Sequence, residues 1–154
     1  MMKNITDFVK QFGIEINWKK KRLLRQNEKM FLIKDDLRPY VAKNFFHAGI
    51  YLGKTRDNRF LPSFYLLRLI ATKNASKIMV NKKTEWLFTC GRDVFRQGVV
   101  EVSRSKRKSE YSLIMNEENE CLGFGKMLSN FDQQDKRLVV RNILDIGDFL
   151  RRER

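Results

Sequence analysis

The chain has 154 residues, with 32 Lys and Arg against 18 Asp and Glu, a net charge of +14 at neutral pH and a pI near 10.0. Apolar residues make up 42% of it, enough for a core, and no apolar run approaches the ~18 residues of a membrane span. That excludes a disordered basic tail, a collagen-like or low-complexity chain and a helical membrane protein. The charges between Met1 and Lys10 are too closely spaced for a signal-peptide core, so the expectation is a protein that stays inside a cell, dissolved in water. Two lobes of about 75 residues are each marginal alone, and if two are present they should share an interface.

In chain order, Thr6 predicts the cap of a short helix that turns Phe8, Val9 and Phe12 inward and closes at Gly13. Ile14, Ile16 and Trp18 alternate with Glu15, Asn17 and Lys19, a strand pattern. A second strand, Met30 to Ile33, follows the polar turn Arg25-Gln26-Asn27-Glu28, which predicts a hairpin. Asp35 and Asp36 predict a helix with Leu37, Tyr40, Val41 and Phe45 on one face. A strand through Ile50, Tyr51 and Leu52 leads into a basic turn from Gly53 to Arg59, and Pro62 predicts the first turn of a helix carrying Phe64, Leu67 and Ile70.

The polar stretch Thr72 to Ser76 reads as a linker between an N-terminal unit, residues 1–74, and a second unit, residues 75–154. Charge divides unevenly across it: residues 1–75 hold 16 basic and 6 acidic side chains, and residues 76–154 hold 16 and 12. The second unit opens with the strand Ile78-Met79-Val80 and a helix capped by Thr84, containing Trp86, Leu87 and Cys90 and ended by Gly91. Strand-like runs follow at Val99 to Val102, Tyr111 to Met115, Leu122 to Leu128 and Leu138 to Ile143, the pattern of a small barrel or sandwich. Asp145 predicts the cap of a last turn through Phe149 and Leu150.

Cys90 and Cys121 are the only cysteines and His47 the only histidine, so no CxxC or HxxxH pair offers a zinc site, and any nucleophile–histidine pair would have to use His47, which follows Phe45 and Phe46 at the end of a predicted helix. Both cysteines sit among apolar neighbours and read as buried free thiols. Gly123 and Gly125 lack the third glycine and the following helix of a dinucleotide loop. Trp86, Phe88 and Phe95, beside Leu87 and Val94, read as core rather than as base-stacking residues. No catalytic residue, metal or cofactor is expected. The excess charge on a folded body points instead to a polyanionic partner, nucleic acid before membrane.

Glu85-Trp86-Leu87-Phe88, then Gly91-Arg92-Asp93-Val94-Phe95, then Gly98-Val99 resembles the opening of a PUA domain, the module of pseudouridine synthases and archaeosine transglycosylases. Leu122-Gly123-Phe124-Gly125-Lys126 is similar to its later glycine strand, where missing side chains let strands pack tightly or an RNA backbone approach. Asp145 through Glu153 is similar to its closing segment. Upstream, Gly49-Ile50-Tyr51-Leu52-Gly53-Lys54, Arg59-Phe60 and Lys77-Ile78-Met79-Val80 resemble the Nip-seven family of large-ribosomal-subunit biogenesis proteins in its short archaeal form. The resemblance implies an α+β fold, an N-terminal antiparallel sheet with helices packed on a C-terminal PUA pseudo-barrel. It implies a non-enzymatic factor in large-subunit biogenesis and pre-rRNA processing that binds ribosomal RNA or its precursor. Other assembly proteins would dock on the N-terminal domain, and the protein would act as a monomer without a membrane. The location would be the cytoplasm in an archaeon and the nucleolus in a nucleated cell.

By motif position the RNA-facing residues are Arg151 and Arg152, extended by Arg154. Lys126 after the glycine pair, and Lys136 and Arg137 after a polar loop, complete the candidate set, each also readable as a solvated surface cation. The dense runs Lys19 to Arg22 and Arg104 to Lys108 read first as solvated edge and loop, with a second phosphate-contacting surface as the alternative for the former. A different class of function, a small RNA-modification enzyme or its RNA-recruiting subunit, is the competing reading, by analogy with the partners of PUA domains.

Overall fold

The apolar residues Ile5, Phe8, Val9 and Phe12 recur at the spacing of one helical face, and all four are buried by helix α1 (Lys3–Lys10) and the turn that follows it. The computed structural model describes residues 3–18, 22–104, 108, 110–131 and 138–152, the side chains of Lys3, Phe149 and Arg152 excepted. Helix α1 starts ahead of Thr6, which therefore lies inside it rather than capping it, and Gly13 ends the turn at φ +74° as expected. Residues 14–18 belong to no helix or strand. Their alternation survives as burial, with Ile14, Ile16 and Trp18 packed on the core.

Four strands form an antiparallel meander: β1 (Leu23–Gln26), β2 (Lys29–Leu32), β3 (Ile50–Arg56) and β4 (Arg59–Pro62). The hairpin partner of β2 is β1, which takes in Arg25 and Gln26 of the expected turn, and the turn itself narrows to Asn27-Glu28, with Asn27 at φ +53°. The basic stretch after Leu52 is not one long turn either. It continues β3, reverses at Asp57 and Asn58, both at positive φ as a two-residue hairpin requires, and returns as β4. Pro62 ends β4, and Ser63 caps helix α2 (Phe64–Ala71), its Oγ accepting from the Leu66 N–H at 3.2 Å. The helix expected after Asp35 is a 3-10 turn, Asp35–Tyr40, because Pro39 removes a donor inside it. Leu37 and Tyr40 stay exposed, and Phe45 packs on Phe31 instead.

The second half builds a six-stranded mixed sheet that curls into a half-barrel, in the order β6-β10-β9-β8-β5-β7. Its members are β5 (Lys77–Val80), β6 (Val94–Phe95), β7 (Val99–Ser103), β8 (Tyr111–Met115), β9 (Cys121–Met127) and β10 (Leu138–Asp145). Helix α3 (Lys82–Thr89) is capped by Asn81, whose Oδ1 accepts from the Thr84 N–H at 2.9 Å. Thr84 is instead buried against Gly98, where a Cβ would meet its Oγ1 at 1.8 Å. Helix α4 (Asp148–Arg152) closes the described chain, and Asp145 is the buried last residue of β10 rather than a cap.

Both faces of this sheet are covered, which explains why Ser112 to Met115 of β8 are all buried, with Leu113, Ile114 and Met115 apolar in succession. Leu113, Met115, Cys121 and Phe124 face α1, α2 and the meander, in one core with Phe8, Phe12, Leu52 and Leu67. Ile114, Leu122, Met127, Val139 and Val140 face the other way, in a second core with Ile78, Phe88 and Val94. Helix α1 is the wedge between the two sheets: Phe8 lies 5.4 Å from Phe60 of β4 and 5.5 Å from Phe124 of β9. The stretch expected as a polar linker is buried at its end. Ser76 N–H donates to Phe12 O at 2.9 Å, and Ser76 Oγ meets Ser112 Oγ at 2.5 Å.

Candidate nucleic-acid interface

The closing segment is held by a buried carboxylate. Asp145 is 2% exposed, and its Oδ2 accepts from Arg151 Nη2 at 2.7 Å and from Asn142 Nδ2 at 3.1 Å. Arg151 Nη1 also donates to the Thr89 carbonyl at the end of α3, at 2.6 Å. The guanidinium crosses two glycines: a Cβ on Gly91 would lie 3.3 Å from Nη2 and one on Gly147 2.9 Å from Nη1. Hydrogen bonding to Asp145 is the leading cause that raises the Arg151 pKa above its usual value. Asn142 extends the clasp, its N–H on Asp93 Oδ1 at 2.8 Å and its Nδ2 on Phe88 O at 3.0 Å. Arg151 thus ties α4 to α3 and β10, with a side chain still 42% exposed.

Lys126 stands in a different place. It lies on β9, between β8 and β10, so it is not an edge-strand lysine. The register puts Tyr111 on one side of it and Arg141 on the other. Side chains alternate along a strand, so Lys126 shares its face with Phe124, the face that packs on α1. Tyr111 is still under the helix, 6.1 Å from Phe8, whereas Lys126 and Arg141 are exposed. The pair therefore emerges where the sheet runs out from beneath the N-terminal half. Two cations directly opposite on neighbouring strands repel each other, an arrangement a bound anion relieves.

Arg151 reaches Asp145 on the opposite side of the sheet, the side of Phe88 and α3. The structure accordingly does not gather Lys126 and Arg151 into one patch. Lys136, Arg137 and Arg154 lie outside the described residues, as do the side chain of Arg152, Lys19 to Lys21 of the first basic run and residues 105–107 of the second. Arg104, at φ +68°, turns its Nη1 back onto the Asn74 carbonyl. Arg141 was not among the sequence candidates. Its signal was available only as register, because Lys126 and Arg141 are paired by strand order rather than by spacing.

The glycine strand serves strand packing. A Cβ on Gly123, at φ +148°, would lie 2.0 Å from the Leu144 carbonyl, and one on Gly125 2.4 Å from Val140. Of the three aromatics expected in the core, Phe88 is fully buried, while Trp86 is 65% exposed and Phe95 46%. Trp86 is two residues from Phe88 on a helix, which turns it to the opposite face. Cys121 is buried, and burial pushes its thiol up to about 11, whereas Cys90 is exposed at the end of α3, contrary to expectation. Among the described residues, no three His, Cys, Asp or Glu side chains are grouped to hold a metal.

The UPF0113 PUA-domain family model matches residues 76–154. A UPF0113 protein of Archaeoglobus fulgidus is 29% identical over 118 residues, covering 72% of this chain and 65% of that protein. One of Aeropyrum pernix is 30% identical over 110 residues, covering 70% and 58%. The chain thus spans less than two thirds of the length of either relative. A conserved PUA-domain protein of Thermoplasma acidophilum superposes with a TM-score of 0.62 at 20% identity, over 98% of this chain and 92% of that one. A PUA-domain structure from Aeropyrum pernix superposes with a TM-score of 0.62 at 15% identity, over 97% and 85%. These likenesses agree with the α+β arrangement expected from the sequence. On the match over residues 76–154, the chain belongs to the UPF0113 PUA-domain family.

Proposed function

We propose that the protein is a non-enzymatic RNA-binding factor whose PUA domain, residues 75–154, docks on ribosomal RNA or its precursor beside an N-terminal domain of residues 1–74. PUA domains generally bind RNA. The observation that carries the reading is the facing pair Lys126 and Arg141 at the margin of the α1-covered sheet, in a row with Tyr111 that holds no carboxylate. Phosphates neutralised there release counterions, and the curled sheet fixes orientation. Arg151 acts by holding α4 in place, and Arg152 and Arg154 remain the further cations proposed for RNA contact from the closing motif. Within the Nip-seven resemblance the task is large-subunit assembly in an archaeal cytoplasm, with assembly proteins as further partners of the N-terminal half.

The test is RNA binding by the full chain across a salt series, with Lys126→Gln and Arg141→Gln singly and together. Each true phosphate contact removed should lower the salt slope by about 0.7 to 0.9. Unchanged affinity and slope in the double variant would remove this pair from the interface.

A further inference from the structure

The β3–β4 hairpin gathers cations on one face, and strand alternation fixes which face it is. Met30 joins the core, Phe60 meets Phe8, and Thr55 Oγ1 accepts from Asn4 Nδ2 at 3.5 Å, so these residues point toward α1. Their neighbours Lys29, Lys54, Arg56, Arg59 and Leu61 point the other way. Leu52 is buried with the inward set although it is two residues from Lys54, because the register shifts there and Leu52 is the extra residue of β3 between the partners of Met30 and Phe31. The register sets Lys29 opposite Lys54 and Arg56 opposite Arg59, two like-charge pairs on the same outward face. The first row continues into Gln26 and Leu61 with no carboxylate in it. Arg56 has Asp57 at 3.7 Å, an exposed contact, and among the described residues Lys54 and Arg59 have no acidic partner. Such pairs are unfavourable in the isolated sheet.

An exposed ring stands beside these cations. Phe46 is 85% exposed, and its centroid lies 4.8 Å from Lys29 Nζ. The segment presenting it is anchored on both sides. Phe45 and His47 pack edge-on against buried Phe31, at 5.5 and 5.0 Å. Gly49 passes so close to strand β2 that a Cβ would lie 2.3 Å from the Leu32 carbonyl. A rigidly carried phenyl ring beside a row of cations meets both requirements of a single-stranded nucleic-acid platform, charge for the backbone and a π-face for a base.

We propose that the outward face of the four-stranded meander is a second RNA contact, taking unpaired RNA with phosphates on Lys29, Lys54, Arg56 and Arg59 and a base stacked on Phe46. It rests on the RNA-binding reading above and adds a surface on the other half of the molecule. An acidic polypeptide would match the cations but offers no repeated planar group to Phe46.

The experiment measures binding of the full chain to a labelled single-stranded oligoribonucleotide, and to the duplex of the same sequence, over a salt series. Phe46→Ala should weaken single-strand binding about fivefold or more while leaving the duplex unchanged. Lys54→Gln with Arg59→Gln should lower the single-strand salt slope by about 0.7 per cation. All three side chains are on the surface, and an unchanged thermal midpoint shows that the fold is kept. If both sets of variants bind single strands like the parent, or if polyglutamate competes as well as RNA at equal charge, the inference is wrong. If Lys126→Gln with Arg141→Gln weakens binding while the meander variants do not, only this second surface falls. If the parent chain binds no RNA, both readings fall together.

Discussion

Phe12→Ala tests whether the two halves are one cooperative unit. Phe12 is fully buried, and its ring lies 5.3 Å from Phe8, 5.7 Å from Tyr111 and 5.7 Å from Phe124. Two of those partners belong to the half-barrel, so the side chain belongs to both halves at once. Truncation removes the burial of a phenyl ring and leaves a cavity between packed aromatics, at a cost of about 3–5 kcal/mol. For a chain of this size that lowers the thermal midpoint by roughly 6–20 °C. The assay is urea unfolding followed by far-ultraviolet circular dichroism and by Trp18 fluorescence in a Trp86→Phe background. Trp18 packs on the shared core, whereas Trp86 faces solvent. The two signals should move together, to lower urea and in one transition. A variant in which Trp18 unfolds first while the strand signal persists at the parent's midpoint would show that the halves fold independently.

Four other outcomes follow from the packing. Gly123→Ala places a Cβ 2.0 Å from the Leu144 carbonyl at φ +148°, and strain alone should cost about 1–3 kcal/mol, read as a lower urea midpoint. A thiol reagent at mildly alkaline pH should label one cysteine of the folded protein, Cys90, with Cys121 reacting only on unfolding, as peptide mass spectrometry will show. Because burial raises the Cys121 pKa to about 11 from 9.0, the folded state holds that proton more tightly than the unfolded one. Stability should therefore fall between about pH 9 and 11, and less so in Cys121→Ala, by urea midpoints across that window. Arg151→Gln should lower the thermal midpoint by loosening α4 from Asp145 and Thr89, yet shift the RNA salt slope less than Lys126→Gln with Arg141→Gln does. A large slope change with an unaltered midpoint would make Arg151 a direct phosphate contact.

What the sequence discloses is periodicity, and what it hides is partnership. The heptad-like spacing of Ile5, Phe8, Val9 and Phe12 identifies a buried helix face without further information. Strands β8 and β9 are legible because an apolar run covered on both sides is rarely anything else. The second half of β1 reads as a turn because Arg25 and Gln26 are polar and short edge strands carry such residues. The reversal at Asp57-Asn58 is hidden within a run of charges whose alternation is cationic rather than apolar. Trp86 and Phe95 mislead because an aromatic beside apolar neighbours is ordinarily core, and only the phase of α3 and the edge position of β6 turn them outward. The same limit applies to the candidate interface. The closing arginines could be located from their motif, but neither the clasp that occupies Arg151 nor the Lys126–Arg141 pair can be seen without strand register.

The most direct test of an RNA-binding role in ribosome assembly is binding of labelled ribosomal RNA fragments by the full chain at several salt concentrations, beside unrelated RNA of equal length. The account requires a preference for particular fragments that survives about 150 mM salt. Equal binding of all RNAs that disappears with salt would contradict it and leave the +14 charge as a generic attraction.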